Sequence, residues 1–230
     1  RDAVVETNAY FTADSVKPPP EWSAITRPAT RPGSSVPAYD WGDRLMAAAL
    51  VQRIEPTPER LEHIRQMLWA SLDYYDACFA AGKAVNWYGF GRLQWLSALD
   101  WLWNDLPGAE RLDLARGFLK HVDEALHGKA KQRQNRGGVL TGYYGDDNLA
   151  LFTGLALHRT GADDAMALRC LNEGYATYQK VIAHRRSMAG DDGGAASPTL
   201  GYSMGEYPLA EWNYVHCMKS AAGLDCRREL

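Results

Sequence analysis

From Asp40 to Ala222 the apolar residues recur at helical spacing, and no alternating strand of any length interrupts them. That periodicity restricts the chain to an all-α fold. Gly and Pro punctuate it into seven predicted helices. Asp40 stands as a cap for a helix over about Trp41 to Ile54, stopped by Glu55-Pro56-Thr57-Pro58. Thr57 caps a second helix with Pro58 in its first position, running to about Ala81 before Gly82. A third, over about Arg92 to Asp105, is apolar nearly all round and is therefore expected to be buried. A fourth covers about Ala109 to His127, a fifth about Asp147 to Arg159, a sixth about Asp163 to Arg185 and a seventh about Tyr207 to Ala222. Residues 1–40 are different: Pro18-Pro19-Pro20, Pro28, Pro32 and Pro37 forbid a long helix, so this part reads as an extended arm on a body formed by residues 41–230.

Short turns join the helices in pairs, and longer connections join one pair to the next. Pair starts near 41, 90, 146 and 207 recur at roughly fifty to sixty residues, too long for most solenoid repeats. An incomplete (α/α) toroid of antiparallel hairpins fits, with the longer connections lining one mouth. Seven helices leave the last hairpin without a partner, so the toroid is expected to be cut at Leu230.

Composition narrows the partners. The net charge is −3, with no basic bias toward nucleic acid, and no run of apolar residues is long enough to span a membrane. The chain opens on Arg1-Asp2 with no apolar leader, which reads as a removed signal peptide or an excised piece. Its four cysteines, Cys78, Cys170, Cys217 and Cys226, form no C-x-x-C motif, so no structural metal site is expected. The aromatic balance is unusual: 8 Trp and 12 Tyr against 5 Phe. Rings with a polar handle suit places that are both packed and wet, as sugar-binding clefts are. Trp87, Tyr88, Tyr143 and Tyr144 fall in the connections between pairs, where they could stack on sugar faces. The stretch Lys129 to Arg136 adds a local basic patch suited to a polyanion.

Several segments resemble the heparinase II/III-like polysaccharide lyases and their chondroitin and alginate lyase relatives. They are Ala98-Leu99-Asp100-Trp101-Leu102-Trp103 with Leu106-Pro107 and Glu110-Arg111; Gly145-Asp146-Asp147-Asn148 opening a helix; and Asp192-Gly193 followed by Gly201-Tyr202-Ser203-Met204-Gly205-Glu206-Tyr207-Pro208. The resemblance covers about residues 41–225. It implies β-elimination on a uronic-acid-containing polysaccharide, with no metal and no cofactor, in a periplasmic or extracellular protein. It also implies β-sandwich domains after the toroid, and nothing in this chain reads as one.

By the same resemblance, Asn148 would neutralise the substrate carboxylate, and Tyr207 or alternatively Tyr202 would serve as acid or base. Arg185, at the end of the sixth helix, is a candidate to meet the carboxylate, and Trp87, Tyr88, Arg92, Tyr143 and Tyr144 are candidates to bind the substrate. The sequence departs from the pattern at one point. Where many members carry His beside the Asn, this chain has Leu149, and where the sister families carry His before the Tyr it has Pro198, Thr199 and Leu200. His216 is the nearest candidate base. Two other readings compete: a glycan-binding toroid that has lost its catalytic His, and a toroidal glycoside hydrolase drawing on Asp147, Asp192, Glu206 and Glu211.

Overall fold

A computed structural model describes residues 42–82, 85, 90–129, 147–189 and 207–228. Seven helices and no strand occur among them. They are α1 (Gly42–Ile54), α2 (Pro58–Ala80), α3 (Phe90–Trp101), α4 (Gly108–His127), α5 (Asp147–Leu157), α6 (Asp164–Ala189) and α7 (Tyr207–Ala222). The all-α expectation holds for these residues, and no helix among them is long and apolar enough to cross a membrane. The arm over residues 1–40 lies outside the described part.

Local chemistry places the helix ends where the sequence suggests. The Thr57 hydroxyl accepts the Arg60 N–H at 3.2 Å, with Pro58 in the first turn. An Asp163 carboxylate oxygen accepts from the Met166 N–H at 3.0 Å and caps α6. Gly223, at φ 70°, closes α7: its N–H reaches the Lys219 carbonyl while the Leu224 N–H reaches that of Met218.

Three helix ends depart from their patterns: α5 stops at Leu157 rather than Arg159, α6 runs on to Ala189 rather than stopping at Arg185, and α3 falls short. α3 stops at Trp101 rather than running to Asp105. The Trp103 N–H turns back to the Asp100 carbonyl and the Asp105 N–H to that of Leu102, tighter bonds that end the helix before Pro107. Nor is the segment buried all round. Trp95, Leu96, Ala98, Leu99 and Leu102 are, but Trp101 is 39% exposed, and Trp103 lies half-buried beneath the Arg111 guanidinium.

The helices pack in two rows. α1, α3, α5 and α7 touch in succession, and so do α2, α4 and α6. In the second row the register is nearly constant. Arg65 of α2 meets Glu110 of α4, an offset of 45 residues. His127 of α4 meets Glu173 of α6, an offset of 46. Asp123 and Arg169 pair at the same offset of 46. Constant offset with rising number means that these three helices run parallel. The two rows run against each other. Arg92 and Trp95 of α3 lie beside His121 and Phe118 of α4, so one turn forward in α3 is one turn back in α4. α5 and α6 repeat this, with Gly154 against Leu171 and Gly174 against Leu151.

A single apolar core fills the space between the rows. Trp95, fully buried, stacks on Phe118 at 4.6 Å and donates its Nε1–H to the Leu68 carbonyl at 2.9 Å, so its one polar atom is satisfied. Farther along, Tyr178 of α6 stacks on Tyr214 of α7 at 5.1 Å and meets Phe152 edge-on.

Opposed rows give the body two unlike ends. At one, short turns over 55–57, 102–107 and 158–163 are braced by polar contacts such as Arg53–Asp105 at 3.3 Å and Arg111 Nη1 to the Trp103 carbonyl at 2.7 Å. At the other, α2, α4 and α6 finish while α3 and α5 begin. The longer connections leave and re-enter the helices there.

Candidate functional site

At that second end two polar side chains, Arg92 and His121, are buried in an otherwise apolar interior, and the exposed Asp76 stands at its rim. Arg92 lies in the first turn of α3 and is only 1% exposed. Its Nη1 stands 3.5 Å from Nε2 of His121, which projects from the C-terminal half of α4 and is equally buried. On its other side, His121 Nδ1 faces an Asp76 carboxylate oxygen of α2 at 3.6 Å. The ring is held flat by neighbours: Phe79 stacks on it at 4.5 Å and 11°, with Tyr75 at 5.3 Å and Phe118 at 6.3 Å. A carboxylate, an imidazole and a guanidinium from three helices thus line up. Asp73, one turn before Asp76, sits above the ordinary carboxylate range because of its burial and then the Asp76 charge.

The residues expected from sequence fall as follows. Arg92 belongs to the cluster just described. Asn148 is the second residue of α5, at the same end of the body. Arg185 lies one turn before the end of α6, which runs antiparallel to α5, so it too is at this end. Tyr207 is the first residue of α7. For Asn148, Arg185 and Tyr207 the backbone is described and the side chain is not. Tyr202, Trp87, Tyr88, Tyr143 and Tyr144 lie outside the described residues, as does the basic stretch beyond Lys129.

Two positions bear on the absent family histidine. Leu149, which follows Asn148, is fully buried in the core. His216 is exposed on α7, where it stacks on Trp212 of the preceding turn at 5.7 Å. Trp212 is itself 58% exposed. Cys78, Cys170 and Cys226 are buried and Cys217 is half-buried. Burial pushes Cys170 up to about 11. Burial, followed by the field of Asp100, raises Cys217. Neither thiol is poised as a nucleophile. Among the described residues no three His, Cys, Asp or Glu side chains converge as a metal site requires.

The sequence pattern marks neither His121 nor Asp76, and it marks Tyr75 only as one of an apolar stripe with Leu61, Ile64, Leu68 and Leu72. The available signal was a histidine on the apolar stripe Phe118, Val122, Ala125 of an amphipathic helix. Such a residue reads as core until the partner helices are known. Comparison with protein family models, characterised proteins and solved structures finds no match to this chain.

Proposed function

We propose that the chain is the helical body of a lyase acting on a uronic-acid-containing glycan by β-elimination. The supporting observation is topological. Arg92, Asn148 and Arg185, at widely separated positions in the sequence, belong to helix ends at one end of the body. In the reaction, a base takes the proton α to the substrate carboxylate. A C=C bond forms, the glycosidic C–O bond breaks, and the departing oxygen takes a proton. The carboxylate must be neutralised before that C–H bond becomes acidic enough. An amide donor at a helix N-terminus and guanidinium forks suit the task. Tyr207, or alternatively Tyr202, is the proton carrier in this reading.

The fold side of the proposal is a toroid. Two rows of helices in nearly constant register are what the wall of such a ring would need. α6 takes α4 on the stripe of Arg169 and Glu173 and leaves Leu168 and Tyr175 exposed, 42% and 39%, on a neighbouring stripe. A further outer helix, partner to α7, would cover them. By the same reading the full-length protein carries β-sandwich domains and works in the periplasm or outside the cell.

The test is the ultraviolet absorbance of the unsaturated product, measured on a panel of acidic polysaccharides with folded protein. Asn148→Ala and Tyr207→Phe should each lower kcat/KM by about a hundredfold or more, the scale of losing an electrostatic or acid–base group. Absence of product on every glycan would overturn the lyase reading. The buried Leu149 favours a second one, a glycan-binding toroid without turnover. In that case calorimetry detects binding while no unsaturated product appears, and Tyr207→Phe changes neither.

A further inference from the structure

An arginine side chain carries only N–H donors. Where the Arg92 Nη1 approaches His121 Nε2 at 3.5 Å, the ring nitrogen is therefore the acceptor. A neutral imidazole that accepts at Nε2 holds its proton on Nδ1, the atom that faces Asp76 at 3.6 Å. The ring cannot easily rotate out of this line. Phe79 stacks on one face, and Tyr75 and Phe118 stand beside it. Stacking sets the imidazole plane, the plane sets the acceptor direction, and the acceptor sets the guanidinium.

We propose that His121 is a positioning residue for Arg92: the guanidinium at Nε2 selects the Nδ1–H tautomer, and the solvent-exposed Asp76 carboxylate, 3.6 Å from Nδ1, favours it through its charge rather than through a hydrogen bond. Its role rests on the glycan-site reading above. Arg92 lies in the first turn of α3, soon after Trp87 and Tyr88 in the sequence, so its orientation sets where one of the positive charges at that end of the body stands. A long flexible side chain fixed in advance loses less freedom when an anion arrives, and the gain appears as affinity. His121 itself touches no substrate. Asp76 and Tyr75 of α2 and Arg92 of α3 are among its polar or charged neighbours.

Long-range proton–nitrogen spectra of the isotope-labelled chain read the tautomer without any ligand. The expected result at neutral pH is a protonated Nδ1 and a bare Nε2. A proton on Nε2 would overturn the proposal. Two variants separate positioning from packing. His121→Gln keeps an acceptor for Arg92. His121→Phe keeps a ring against Phe79 and removes the acceptor. Loss of a hydrogen bond to a charged group is worth about tenfold in an equilibrium constant. The Kd for an acidic oligosaccharide should accordingly rise about tenfold in His121→Phe and stay within about threefold in His121→Gln. Equal losses in the two variants would sink the positioning role. If the parent chain binds no acidic glycan, the site reading fails by itself. The tautomer and the Arg92 Nε–H resonance, displaced in His121→Phe and retained in His121→Gln, still decide the His121–Arg92 relationship.

Discussion

Gly174 of α6 lies against Leu151 of α5 so closely that a Cβ on the glycine would stand 2.1 Å from the leucine nitrogen. The contact is reciprocated one turn away, where a Cβ on Gly154 would meet the Leu171 nitrogen at 2.4 Å. Both obstacles are backbone, which cannot rotate aside. Gly174→Ala or Gly154→Ala should therefore cost about 1–3 kcal/mol or more by forcing the helices apart. The control is Gly108→Ala at the start of α4, where a Cβ meets nothing within 4 Å. That change should be neutral or stabilise by up to about 1 kcal/mol. Urea unfolding of the three variants checks the order.

Trp95 combines a buried ring with one satisfied donor. Replacing it by Phe keeps most of the stack on Phe118 but leaves the buried Leu68 carbonyl without its Nε1–H partner. The expected cost is about 1–3 kcal/mol, and Trp95→Ala should cost about 3–5 kcal/mol through cavity formation. Denaturant midpoints at unchanged slope would check both.

Glu110 joins α4 to α2 through two residues at once. Its carboxylate takes Arg65 at 2.7 Å and the Trp69 Nε1–H at 2.9 Å, and its side chain is 14% exposed. Glu110→Ala should cost about 1–3 kcal/mol, since two donors lose a charged acceptor. Asp105→Ala breaks a pair whose side chains are 56% and 37% exposed, and should cost no more than about 0.5 kcal/mol. A thermal unfolding comparison that reversed this order would contradict the link between α4 and α2 drawn through Glu110.

Asp100 sits near the end of α3, and desolvation raises its carboxyl above the ordinary value of 3.8. A folded-state value above the unfolded one means that the native chain binds more protons across the window between them. Stability contributed by this group is thus present below that window and lost as pH rises through it. Asp100→Asn removes the ionisation. The variant should be more stable than the parent near neutral pH, with the difference disappearing below the ordinary Asp value. Unfolding free energies at both pH values measure it.

Much of the fold was legible in the sequence because helix boundaries depend on neighbours in the chain. Thr57-Pro58, Asp163 and Gly223 each act within one turn, and the helices they bound start or stop beside them. The apolar pattern overruns the end of α3 because Leu102 and Trp103 continue it, while the tighter hydrogen bonds at Asp100 and Leu102 leave no trace in periodicity. The candidate site was legible only in part. Asn148 and Arg92 attract notice as polar residues at helix starts. His121 does not, because on its own helix it occupies a core position.

The sequence by itself determined that this chain is helical, where its helices begin and end to within a turn or so, and which stripe of each helix is buried. Those properties follow from spacing at 3.6 residues per turn and from capping, which are local. Only the tertiary structure decided that α2, α4 and α6 run parallel at offsets of 45 and 46, that Gly174 admits Leu151, and that Asp76, His121 and Arg92 share one line. Which faces meet depends on how helix surfaces interlock across tens of residues of chain, and no local pattern encodes that choice.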